Sequence, residues 1–253
     1  NPTGPLHVGH GRGAAYGASL ANVLEAAGFK VCQEYYINDA GRQMDILALS
    51  TWLRYLESLG APKLLPSNAY QGDYVCNMAA QLHQQYDAQF NRPVTEVLSD
   101  VPAMPDAQDS SPEAKQRREQ HLDALIGNAK RLLGQDYTVI HHFALNTQLA
   151  GCKQDLSAFG VDFDVWYSEQ SLFDRGFVAK AVETLEANGH LYTQDGAKWF
   201  RSTAFGDDAD RTIAARNGAA TGPRLAIALA RQRRLAPQAV GATCDPLPAT
   251  GVV

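Results

Sequence analysis

Two histidines three residues apart, His7 and His10, lie inside the run Asn1-Pro2-Thr3-Gly4-Pro5-Leu6-His7-Val8-Gly9-His10-Gly11-Arg12-Gly13. Prolines and glycines in that density read as a rigid loop feeding a helix N-terminus. There, free backbone N–H groups and the helix dipole favour a bound phosphate. Two imidazoles at such a place can donate hydrogen bonds to phosphate oxygens, or to a bridging oxygen as charge develops on it. Gly9 has no side chain, so a flat adenine could lie directly on the backbone. Gly11 and Gly13 add little, because G-x-G recurs in many turns. Taken alone, H-x-G-H leaves two readings open: a nucleotide site, or a glycine-rich turn with two surface histidines.

Other polar groups invite plainer readings. Asp39 follows a strand-like stretch, where it could cap a helix. His141-His142 falls on a strongly amphipathic segment, which favours packing over metal binding. Asp207-Asp208-Ala209-Asp210 lacks the Gly and Glu of a calcium loop and reads as a solvated turn. Arg117, Arg118, Lys130 and Arg131 read as a charged exposed helix face. The four cysteines (Cys32, Cys76, Cys152, Cys244) show neither C-x-x-C spacing nor histidine partners, so buried reduced thiols are expected, with no protein-bound metal and no disulfide framework. With 22 Lys+Arg against 27 Asp+Glu, the net charge of -5 gives no bulk attraction to nucleic acid. No apolar run is long enough to cross a membrane.

The elements that must position these groups come from periodicity. Ala14 to Ala27 reads as a helix stopped by Gly28, with Leu20, Leu24 and Ala27 on one face. Lys30 to Ile37 alternates as a strand. A long helix follows, capped by Asn38 or Asp39, carrying Met44, Leu47, Thr51, Tyr55 and Leu59 and closed by Gly60. Helix, strand and helix make half of a doubly wound α/β unit. Residues 61–135 read as a helical insertion, with helices near Tyr74 to Phe90 and before Gly134 and a Pro/Asp/Ser-rich link between them. Residues 136–189 return as an amphipathic helix through Phe159, a strand from Val161 to Tyr167, and a helix from Phe177 to Asn188. Gln194-Asp195-Gly196 opens a hairpin within residues 190–211. From Thr212 to Val253 there is no Phe, Tyr, Trp, Lys or Glu, so this stretch is expected to be disordered or irregular.

His7-Val8-Gly9-His10 resembles the H-I-G-H signature of class I aminoacyl-tRNA synthetases, and the whole run from Asn1 to Gly13 resembles their arginine-specific branch. The likeness continues at Glu34-Tyr35-Tyr36-Ile37-Asn38-Asp39-Ala40-Gly41-Arg42-Gln43, at Phe159 to Trp166, and at Trp199 to Arg211. Four blocks occur in the right order over residues 1–211. The resemblance implies the first half of a Rossmann-like catalytic domain with an incomplete sheet, residues 1–60 being its opening segment. It implies ATP contacts at Pro5, His7, Gly9 and His10, with the two histidines stabilising the transition state of adenylate formation. It implies substrate contacts at Asn1, Asp39 and Gln43. The implied partners are arginine, ATP with its Mg²⁺, and tRNA(Arg), in the cytoplasm, with no DNA and no membrane.

After Arg211 the likeness fades, and Ala219 to Val253 departs from the family altogether. Its Ala/Arg/Pro bias resembles a GC-rich gene read out of frame. The abrupt start at Asn1 without Met adds the expectation of a piece lacking residues at both ends and inactive by itself. Two other readings compete: a non-catalytic remnant of such an enzyme, and a small H-x-G-H nucleotidyltransferase, which would lack the Trp199–Arg211 block.

Overall fold

The structure is a computed structural model and describes residues 2–106 and 108–214. Its contacts divide the chain into two compact units, Asn1–Ala14 with Asp39–Asp162, and Ala15–Asn38 with Phe163 onward.

The first unit is helical. Helix α1 (Val8–Ala26) begins in it, and α2 (Arg42–Ser58), α3 (Asp73–Tyr86), α4 (Val94–Val97), α5 (Pro112–Leu133) and α6 (Gln135–Ala158) follow. Helix α2 is its axis. Met44, Leu47, Thr51 and Tyr55 are buried as the pattern requires, and so are Ile46, Ala48, Leu49, Ser50, Trp52, Leu53 and Leu56. A helix apolar on nearly every side must be enclosed; Leu82 of α3, Val97 of α4, Leu122, Leu125 and Ala129 of α5, and Ile140 of α6 share one cluster with it. Its buried polar atoms are satisfied locally: Ser50 Oγ donates to Ile46 O (2.6 Å) and Thr51 Oγ1 to Leu47 O (2.9 Å). Trp52 Nε1 donates to Phe90 O at 2.9 Å, which pins the chain after α3.

The cap of α2 is not the one expected. Its N-cap is Gly41, at φ 92°, with no side-chain cap bond. A residue with Cβ is strained at that angle, so neither Asn38 nor Asp39 takes the cap. At its other end Glu57 accepts from the amides of Leu64 (2.9 Å) and Leu65 (3.2 Å) and pairs with Arg54 (2.7 Å). Burial opposes ionisation there, yet the Leu64 amide, Arg54 and the Leu65 amide together hold its carboxyl below the usual range. Helix α5 starts as sequence rules ask, with Ser111 accepting from Ala114 N and Pro112 at its first position. In α6 the expected stripe of Tyr137, Ile140, Ala144, Gln148, Cys152 and Leu156 is buried, whereas Phe159 is exposed.

The second unit holds the rest of α1, then β1 (Glu34–Ile37), β2 (Val165–Ser168), α7 (Gln170–Asp174), α8 (Phe177–Ala187), β3 (Leu191–Gln194), β4 (Ala197–Phe200), a 3-10 turn (Ser202–Phe205) and β5 (Arg211–Ala214). Strands β1 and β2 pair in parallel, Glu34 with Val165 through Ile37 with Ser168. Both are shorter than their alternating patterns. Just before them, Asp164 Oδ2 accepts from Gln33 N (2.8 Å), and just after them Glu169 N donates to Ile37 O (2.9 Å). Strands β3 and β4 form the expected hairpin around Asp195 and Gly196, both at positive φ. Strand β5 pairs antiparallel with β4, so Thr212 to Ala214 are ordered in a strand and not irregular; residues 215–253, the remainder of that expectation, lie outside the described residues.

The cysteines divide. Cys152 is free and buried, whereas Cys76 is free but exposed, against the expectation of buried thiols throughout; Cys244 lies outside the described residues. Among the described residues no helix is long and apolar enough to cross a membrane.

Candidate nucleotide site at the start of helix α1

Helix α1 begins six residues earlier than its apolar pattern suggested, so Gly9, Gly11 and Gly13 are helical. Glycine is a poor helix former, but His10 N and Gly11 N both donate to His7 O (2.9 and 3.1 Å), which closes the first turn around His7. The two imidazoles stack, ring centroids 3.7 Å apart and planes 21° apart. Both are exposed.

Backbone amides fix the state of these rings. His7 N donates to His10 Nδ1 (3.2 Å), and Gly9 N donates to His7 Nδ1 (3.1 Å). A ring nitrogen that accepts carries no proton, so each neutral imidazole keeps its proton on Nε2. Loss of water on the stacked ring, and then the neighbouring His7, hold His10 below the usual histidine range. The pair therefore presents N–H donors without needing to be cationic. The amides of His7 and Gly9 are engaged by the imidazoles, contrary to the expectation of free N–H groups. The donors left for an anion are chiefly the imidazoles, set at the positive end of α1.

Gly9 also gains a second reason to be glycine. A Cβ there would lie 3.0 Å from His7 Cε1 and 3.1 Å from His7 Nδ1. A side chain at position 9 would push the His7 ring aside before it met any ligand.

The loop before the helix is anchored from α3. Tyr74 Oη donates to Thr3 O at 2.7 Å, and the Tyr74 ring lies in ordinary contact with the position of a Gly4 Cβ. Four residues earlier, Tyr70 Oη donates to Gln43 Oε1, and Tyr70 N donates to Ser50 Oγ (3.2 Å). Neither tyrosine stood out in the sequence. Both lie in the stretch read as an insertion, and their partners are 27 and 71 residues away, beyond any local pattern.

The remaining expected residues take varied places. Pro5 is exposed, Gln43 is exposed with its oxygen taken by Tyr70, and Asp39 is buried. Asn1 lies outside the described residues. His141 is half-buried beside Tyr137, and burial lowers its affinity for a proton. In the turn, Asp207 pairs with Arg211 (2.6 Å) and Asp210 accepts from Thr203 Oγ1 (2.7 Å). No group of three or more His, Cys, Asp or Glu among the described residues could hold a metal ion.

Residues 1–64 match the family described as tRNA synthetases class I (R), catalytic domain. An arginine–tRNA ligase of Dechloromonas aromatica is 60% identical over 218 residues, which is 86% of this chain and 37% of that protein. One of Aromatoleum aromaticum is 61% identical over 219 residues, again 86% of this chain and 37% of the relative. Among solved structures, a Campylobacter jejuni chain described as an arginyl-tRNA synthetase superposes with a TM-score of 0.69 at 26% identity, covering 95% of this chain and 44% of that one. Beside the His7/His10 turn at the head of α1 and the parallel β1–β2 pair stand these likenesses: the chain is similar to the arginine–tRNA ligases and spans about 37% of the length of the curated relatives it matches.

Proposed function

We propose that this chain carries the nucleotide-binding part of an arginine–tRNA ligase. In the complete reaction the arginine carboxylate attacks the α-phosphorus of ATP, forming arginyl-adenylate and releasing pyrophosphate. The 3′-terminal ribose hydroxyl of tRNA(Arg) then takes the arginyl group and AMP leaves. His7 and His10 hydrogen-bond the ATP phosphates through Nε2 and stabilise the charge that builds on them. Gly9 and Pro5 shape the nucleotide side of the site, and Asn1, Asp39 and Gln43 face the substrate. Mg²⁺ arrives with ATP and the work is done in the cytoplasm. The first step depends on positioning and charge stabilisation more than on acid–base transfer, which suits a pair of neutral donors.

The observation that carries this reading is the stacked imidazole pair whose Nδ1 atoms accept from backbone amides. That arrangement locks both rings in the donor tautomer at a helix start. The test is arginine-dependent ATP–pyrophosphate exchange by the full-length Dechloromonas aromatica relative with the histidine corresponding to His10 changed to Ala. A loss of roughly 10²–10³-fold in kcat is expected, the scale for removing one donor to developing charge. An unchanged kcat with a raised KM for ATP would restrict His10 to ground-state binding. The isolated 253-residue chain, assayed beside it, is expected to give no arginylation of tRNA; robust charging would overturn the assignment of the activity to the longer protein.

A further inference from the structure

We infer that Tyr74 is a positioning residue for the His7/His10 turn. The inference rests on the nucleotide reading of that turn but concerns a residue outside the signature. The chain from Pro2 to Leu6 has no helix or strand of its own to hold it. Its side-chain tether is the Tyr74 hydroxyl on Thr3 O, 2.7 Å long, four residues before His7. Tyr74 is itself firmly set. It packs against the cluster of Met44, Leu47, Val75, Met78 and Ala144. Gly72 leaves room for its ring, since a Cβ at that position would fall 2.5 Å from Tyr74 Cε1. Burial, and then the neighbouring Tyr70, push its phenol up to about 12, so it remains a donor at every physiological pH.

The same short segment reaches the second signature block. Tyr70 donates to Gln43 at the start of α2, so Tyr70 and Tyr74 together connect the loop of Thr3 with the block of Gln43. A stretch that looks like an insertion thereby sets where the histidine turn begins relative to α2. A misplacement of about 1 Å in such a turn is enough to cost roughly 10²-fold in a reaction that depends on positioning.

The test is Tyr74→Phe in the 253-residue chain, which removes one hydroxyl and keeps the ring. Imidazole ¹H–¹⁵N spectra are recorded with and without Mg-ATP. The His7 and His10 signals should move and broaden in Tyr74→Phe, while the Trp52 indole signal stays in place. Val75→Ala removes packing from the same turn of α3 and leaves the hydroxyl; it should lower the melting temperature without moving the His7 and His10 signals. Unchanged histidine signals in Tyr74→Phe, or equal changes in both variants, would overturn the inference. Failure of Mg-ATP to move these signals in the unsubstituted chain would instead count against the nucleotide reading, and leave the tether standing on the first comparison.

Discussion

Helices α1 and α2 are of similar length, 19 and 17 residues, and have opposite characters. In α2 eleven residues are buried; in α1 only Ala21 is. Val8, Tyr16 and Val23 of α1 are 91%, 74% and 65% exposed, whereas Leu47, Leu49 and Leu53 of α2 are fully enclosed. Helix α1 carries four glycines, at positions 9, 11, 13 and 17, and α2 has none. Packing therefore makes α2, while the backbone turn around His7 makes the start of α1. The contrast separates a helix kept for its core from one kept for what its first turn presents.

The largest effect should come from the core of α2. Leu53→Ala is expected to cost about 2–5 kcal/mol in a denaturant melt, the range for emptying a well-packed leucine site. Leu20→Ala in α1, at a residue 40% exposed, should cost less than about 0.5 kcal/mol. Similar losses at the two positions would erase the difference between the helices.

A smaller effect lies at the end of α2. Glu57 has a folded pKa held below its ordinary 4.5, so it stabilises the fold above that value and the contribution fades as pH falls through the depressed one. Glu57→Gln should lose about 1–3 kcal/mol at pH 7, the range for hydrogen bonds to a charged group. The variant should also show a flatter decline as pH falls below 4.5. A variant that keeps the parent's acid slope would show that other carboxyls set it.

The smallest effect tests the glycines of α1. A Cβ at Gly17 meets nothing within 4 Å, so Gly17→Ala should stabilise the helix by up to about 1 kcal/mol. Gly9→Ala offers the same backbone gain but crowds the His7 ring. It should show no net stabilisation by circular dichroism and thermal melting. Equal stabilisation by both variants would mean that the His7 ring can move aside freely.

The same contrast explains what the sequence disclosed. Helices α2, α5 and α6 were legible because burial repeats with the helical period, and the glycines at 60, 160 and 189 each fall two residues past a helix end. The parallel partnership of β1 with β2 followed from the order of helix and strand, though both strands begin four residues later than their alternating patterns, just past the Gln33–Asp164 hydrogen bond. The start of α1 was misplaced because glycine and proline signal a loop, while hydrogen bonds to a single carbonyl, His7 O, are enough to begin the helix. Strand β5 was missed because Thr212 to Ala214 share the composition of residues 215–253. The motif residues were named from spacing, but the reason for Gly9 was incomplete: a base against the backbone was foreseen, the His7 ring was not. The tyrosine tethers left no local signal, because each spans a long sequence separation within one folded unit.

The five residues from Tyr70 to Gly72 to Tyr74 behave as a ruler. One tyrosine ends on Gln43 and the other on Thr3. Adding one residue between them would lengthen a span whose two ends are both fixed and carry the Tyr74 hydroxyl off its carbonyl. Substitution can be absorbed at several of these positions, but a change of length cannot. Length variation among natural versions of this chain should therefore be absent between Tyr70 and Tyr74.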